Sequence, residues 1–361
     1  MNIEETKTKK KYFEISVLNA FMCILVVFIH VSTAPLGALE SESWQYIIIM
    51  IPRRGFAFVV QGFIFLSGMK LFLSRTKQFS YGSYLAKRFL HVILPYIIWV
   101  VIYYLYFAFY RHYFTFSITS LLRYMYVGDL VSPFYYIIII AQFYILAPFW
   151  RKIIAKANPV ILTSFALLIT IISTKYLPEM IAALFPNAHF MYADRVFATY
   201  LIYWIAGCFA GLNYEKFKKT LSENRMLINT AFGFALVYYI YLCYLRFSQG
   251  KGIAYLEDVR IFYCICAILF FFSAAVRISE RRKTGADSRF DMAVSSIDKV
   301  SYSIYLAHCL VIFELDHILE PYASMSVKAS YPLRLIIVYA VTICGSLLWR
   351  RLRDAITAKL Q

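Results

Sequence analysis

His30 interrupts a stretch otherwise free of charge, "VLNAFMCILVVFIHVSTAPL" from Val17. An imidazole gives and takes protons near neutral pH. At membrane depth such a group either bonds to a neighbouring helix as interhelical glue or faces a cavity or pathway. The residues alone leave both readings open. Asn19 lies eleven residues earlier, about three helical turns or roughly 16 Å away, on the same helix face. The two make one polar stripe through an apolar helix, unless Asn19 serves only to join helices.

Other polar groups interrupt apolar runs in the same way. In "YLAKRFLHVILPYIIW" (84–99), Lys87, Arg88 and His91 precede Pro95. Arg88 and His91 are three apart and share a helix face. Together the three suit a phosphate, or else form an ordinary basic flank to a membrane helix. Arg53 and Arg54 stand together and suit a carboxylate, a phosphate or a sugar acid. They could equally pair with Asp194, Glu257 or Asp258 in other segments. Ser301, Tyr305 and His308 fall at helical spacing in "SYSIYLAHCLVIFELDH" (301–317). They form a polar seam between helices or the wall of a reaction chamber. In "GFIFLSGMKLF" (62–72), Ser67 and Gly68 allow close helix approach, and Lys70 is expected to reach the cytoplasmic surface.

The elements that must carry these residues follow from composition. The chain has 361 residues, of which 61% are hydrophobic and 19% aromatic, with a mean hydropathy of +0.64. A soluble fold cannot hide that much apolar surface. Runs of about 18 or more apolar residues predict transmembrane helices, and short alternating segments of a β-barrel are missing. The expected fold is all-α: a polytopic membrane helix bundle of about ten transmembrane helices. The expected spans are 13–35, 52–73, 92–110, 133–150, 159–177, 195–213, 227–246, 259–276, 298–316 and 332–349. Residues 44–51 are read as an interfacial segment ahead of Pro52, and 277–299 as a basic loop.

The net charge of +17 is a topology signal and not a nucleic-acid signal, because the cations sit in short loops. With the N-terminus inside, 25 of the 37 Lys and Arg fall on the cytoplasmic side and 11 on the outer side, with Lys70 inside a span. Both termini are therefore expected in the cytoplasm, and residues 1–361 are expected to form one domain. All seven cysteines lie in apolar spans. That argues against a disulfide framework and against a zinc site, so no metal is expected.

In order along the chain, "EISVLNAFMCILVVFIHVS", "FIFLSGM", "KRFLHVILPYIIW", "FYYIIIIAQFYILAPFW" and "SYSIYLAHCLVIF" resemble the acyltransferase-3 family of integral membrane acyltransferases. The resemblance implies transfer of an acyl group, acetyl or succinyl, from cytoplasmic acyl-CoA to a hydroxyl of an extracytoplasmic or lipid-linked glycan. It implies acyl-CoA as co-substrate with no bound cofactor, and residence in a cell membrane, the bacterial cytoplasmic membrane. His30 matches the family's catalytic histidine. By the same resemblance Asn19, Lys87, Arg88 and His91 fall at the acyl-donor end. Arg53, Arg54, Ser301, Tyr305 and His308 are expected at the acceptor end or on the chamber wall. The family usually carries arginine where this chain has Asn19, and a second arginine where it has His91. Two further readings of a polar stripe in a helix bundle are a transporter or flippase for a glycan or small solute, and an accessory partner of polysaccharide synthase machinery.

Overall fold

The computed structural model describes residues 12–73, 80–185, 191–282, 288–322 and 326–360. Lys7, Lys9, Lys10, Lys11, Arg75, Lys77 and Lys283, all counted in the cytoplasmic charge tally, lie outside these residues. All regular structure among the described residues is helical, as an apolar medium requires of chain segments that must satisfy their own backbone groups. Among the described residues, eight helices are long and apolar enough to cross a membrane. A helix pair bent by 57° is either a ninth, broken span or a re-entrant loop, and a shorter apolar helix spans Phe197–Leu212. The expectation of an all-α polytopic bundle holds.

The principal helices are α1 Phe13–Val31, α2 Trp44–Gly55, α3 Val59–Leu73, α4 Tyr81–Tyr110, α5 Ile118–Val127, α6 Ser132–Ile145, α7 Pro159–Leu184, α8 Leu201–Leu212, α9 Arg225–Phe247, α10 Leu256–Glu280, α11 Arg289–Leu319 and α12 Val327–Leu360. Several differ from their expected limits, three of them where candidate site residues lie or a loop was expected. Residues 44–51 are not a separate interfacial segment, because α2 runs through Pro52 and continues into α3 as one 30-residue span. The third span starts at Tyr81, so Lys87, Arg88 and His91 lie within its helix. The expected loop 277–299 is largely helical. α10 extends to Glu280, and α11 begins at Arg289 behind a capping box of Ser288 and Asp291. That reciprocal cap satisfies two orphan donors and lets the helix start before its apolar part.

Burial sorts the spans. Within the first span 67% of the residues in its apolar window are buried inside the protein, against 11% for Pro159–Leu184 and 17% for Arg225–Phe247. α1 is therefore central, while α7 and α9 present apolar side chains outward. The helix carrying His30 is pinned at both ends. At its start, the buried Glu14 accepts from Tyr214 (2.6 Å) and Ser279 (3.0 Å) and pairs with Lys218 (3.0 Å). A carboxylate in a first helical turn also complements the helix dipole. Along its length, Tyr339 of α12 donates to the Ile24 carbonyl (2.8 Å), and Tyr331 bonds Ser32 (2.9 Å).

α3 and α8 approach backbone to backbone. A Cβ on Gly207 would lie 2.1 Å from the Phe65 carbonyl oxygen, one on Gly211 2.3 Å from that of Met69, and one on Gly68 2.5 Å from that of Trp204. In lipid, where apolar burial drives helices together only weakly, such small-residue contacts supply the association. The Ser-Gly segment of α3 thus packs as expected.

Candidate active site

α1, α2, α6 and α11 enclose a chamber of about 520 Å³. His30 lines it from the last turn of α1. Arg53 and Arg54 line it from α2, Arg260 from α10, and Tyr305, Cys309 and Asp316 from α11. On the expected topology, with both termini in the cytoplasm, this is the outer half of the bundle. A second cavity of about 190 Å³ lies further along α1 toward Asn19, lined also by Cys23, Ser67, Lys70, Ser301 and Tyr302. Val26, Phe63, Tyr136 and Tyr305 line both. They form a septum between an outer and an inner space.

Local structure explains why each group faces where it does. Arg53 donates through Nε to the Ile29 carbonyl (3.3 Å) and through Nη2 to Thr33 (3.5 Å). It thereby satisfies a carbonyl of the last turn of α1, where a cation is favoured, and fixes the turn that holds His30. The irregular backbone between α5 and α6 is likewise accounted for. Gly128 turns the chain in the left-handed region (φ 71°). Arg195 donates to Val127 O (2.8 Å), and Tyr96 to Tyr124 O (3.2 Å) and Met125 O (3.0 Å). Pro133 O accepts from Tyr305. Non-helical backbone survives at membrane depth where protein or a cavity covers it, and the chain re-enters helix at Ser132 and Pro133, which line the chamber.

The expected stripe on α11 is present and divides its labour. Ser301 faces the inner cavity, Tyr305 stands in the septum, and His308 meets His30, their ring centres 5.2 Å apart. His308 is fully buried, and its Nδ1–H donates to the Ile304 carbonyl (3.1 Å). Its Nε2 therefore carries the lone pair, and lies 3.5 Å from Cys309 Sγ. His30, His308 and Cys309 bring one ligand atom each within 4.8 Å of one another. Spacing along the chain gives no metal motif here, but the fold gathers two imidazoles and a thiol, a donor set that suits zinc.

The donor-end residues separate. The Asn19 amide donates to Asp298 Oδ1 (2.7 Å) and to Ser301 Oγ (3.0 Å). Arg88 lies between the rings of Tyr84 and Tyr144, 5.1 and 4.8 Å from their centres. Lys87 and His91 are exposed and line neither cavity, and the His91 ring bonds the Lys87 carbonyl (2.8 Å). The cation of the inner cavity is Lys70, in place of the basic cluster on α4. Lys70 lines this space, and its side chain is also exposed at the protein surface. Two site residues escaped the sequence reading. Asp298 continues the stripe at three residues before Ser301, but it fell at an expected loop boundary. Arg260 lies more than two hundred residues from Arg53, and only the fold brings them together.

The polytopic helix bundle of an integral membrane protein here holds a chamber bearing His30 and, beside it, a cavity bearing Lys70. The chain belongs to the acyltransferase-3 family: the family, described as an acyltransferase domain, matches residues 12–351. No curated protein and no solved structure matches it. The chain is a multi-pass membrane protein of acyltransferase type.

Proposed function

We propose that this protein moves an acyl group, acetyl or succinyl, from cytoplasmic acyl-CoA to a hydroxyl of an extracytoplasmic or lipid-linked glycan, with His30 as general base. The observation that carries this reading is the pair of cavities meeting at the septum of Val26, Phe63, Tyr136 and Tyr305, with Lys70 and Asn19 on one side and His30 on the other. A thioester reaching the septum from within meets a hydroxyl held from without.

The acceptor hydroxyl transfers its proton to the imidazole of His30 as its oxygen attacks the thioester carbonyl. The carbon–sulfur bond breaks, the ester forms, and the proton passes to the departing thiolate. Positioned proton transfer of this kind contributes about 10²–10⁴ in rate. Lys70 supplies a fixed positive charge on the donor side, the role that Asn19, already bonded to Asp298 and Ser301, does not fill.

The test is mass spectrometry of surface glycans from cells with the chain, without it, and with His30→Ala at matched expression. The acyl mass increment is expected only with the intact protein. Undiminished glycan ester in the His30→Ala strain overturns the proposed role of the imidazole.

A further inference from the structure

Three guanidinium groups face the outer chamber: Arg260 is paired with Glu257, whereas Arg53 and Arg54 have no carboxylate partner among the described residues. Asp316, the carboxylate on the chamber wall, pairs with Arg334 of α12. Glu257 pairs with Arg260, and Asp194 lies 3.8 Å from Arg195. Among the described residues no ion pair reaches Arg53 or Arg54. Arg53 has only the Ile29 carbonyl and the Thr33 hydroxyl. Arg54 is stacked on Phe247, 3.4 Å from its ring centre, and its Nε is buried with no hydrogen-bond partner. A buried charged donor with no acceptor is costly and rare. The stacking holds the guanidinium plane fixed, so its donors are preorganised for a planar anion.

We infer that the acceptor is anionic, and that a carboxylate or phosphate group on the glycan docks against Arg53, Arg54 and Arg260 so that its hydroxyl meets His30. This rests on the acyl-transfer reading and narrows its acceptor class. The cations lie on the His30 side of the septum, so they address the acceptor and not the acyl-CoA phosphates. Arg260 also lines an adjoining cavity of about 380 Å³, into which Gln61 presents a buried, unpartnered Oε1. An acceptor longer than one sugar has room to continue there.

Full-length His30→Ala protein in nanodiscs, which binds without turnover, is titrated with three probes: an oligosaccharide of uronic acid, a sugar phosphate, and a neutral oligosaccharide of matched length. At least one acidic probe is expected to bind about tenfold or more tightly than the neutral one, as a charge-assisted hydrogen bond warrants. The tighter of the two identifies carboxylate or phosphate as the recognised group. Arg54→Gln is expected to abolish the preference and Arg54→Lys to keep part of it. If Arg54→Gln does not give monodisperse protein, raising ionic strength reads the same property: acidic probes should weaken and the neutral probe should not. Equal affinity for all three, no measurable binding of either acidic probe, or a preference that survives Arg54→Gln overturns the inference.

The wild-type protein is then given acetyl-CoA or succinyl-CoA with each acceptor. A preference that follows the acyl group instead of the acceptor also overturns it. Absence of transfer to every probe, with the acidic binding preference intact, overturns acyl transfer and leaves the anion site standing.

Discussion

Asn19 shows how one residue can reorganise a site. Its amide spans Asp298 and Ser301, so it links α1 to α11 where a family arginine would present charge. Asn19→Ala leaves the half-buried Asp298 carboxylate short of a donor, a loss of about 1 kcal/mol. The expected result is a lower melting temperature in detergent, partly restored by combining it with Asp298→Asn. Additive losses in the double variant would show that the two side chains do not depend on each other. Lys70 makes a different prediction. Lys70→Gln should raise KM for acyl-CoA while leaving KM for the acceptor unchanged, because Lys70 lines the inner cavity and not the outer chamber. A rise in acceptor KM instead would place the lysine on the wrong side of the septum.

The elements were more legible than the site, for a physical reason. Apolar length and charge bias are summed over many residues, so the bundle could be read from composition and runs. Helix limits depend on a few local interactions and were read less well. The capping box of Ser288 and Asp291 starts α11 nine residues before its expected limit, and that shift hid Asp298. Pro52 looks like an interruption, yet α2 passes through it. The stripe of Ser301, Tyr305 and His308 was legible because three- and four-residue steps fix one helix face. The convergence of Arg260 on Arg53 and Arg54 was not, because no local pattern encodes a contact between distant spans. Packing of α3 on α8 gives the prediction at this scale. Gly207→Ala would place a Cβ 2.1 Å from the backbone oxygen of Phe65, and a backbone atom cannot swing aside as a side chain can. Overpacking of this sort costs about 1–3 kcal/mol. A clear drop in thermal stability by fluorescence-detected size exclusion is expected, with Gly233→Ala, which meets nothing within 4 Å, as the neutral control.

At the scale of the whole molecule, the proposed mechanism must let an acyl group cross while water and solutes do not. Water-exclusion falls to the septum, since charged and polar side chains stand among the linings on either side and the two cavities share only Val26, Phe63, Tyr136 and Tyr305. Tyr305 and Tyr136 are held there by more than contact: Tyr305 donates to Pro133 O, its ring stacks on Tyr302 at 6.0 Å, and Tyr136 meets its ring edge-on at 5.9 Å. Phe63 makes no hydrogen bond, so it can be resized with least damage to this network. Phe63→Ala should widen the passage and admit water to the thioester. The expected outcome is acyl-CoA hydrolysis in the absence of any acceptor, at several times the wild-type rate, with transfer to acceptor falling. Phe63→Trp should do the opposite and depress transfer without raising hydrolysis. Free CoA release from purified protein, measured with and without acceptor, reads both. If enlarging and shrinking residue 63 leave the ratio of hydrolysis to transfer untouched, the acyl group does not pass between these cavities, and the two-sided mechanism gives way to one in which donor and acceptor meet elsewhere in the bundle.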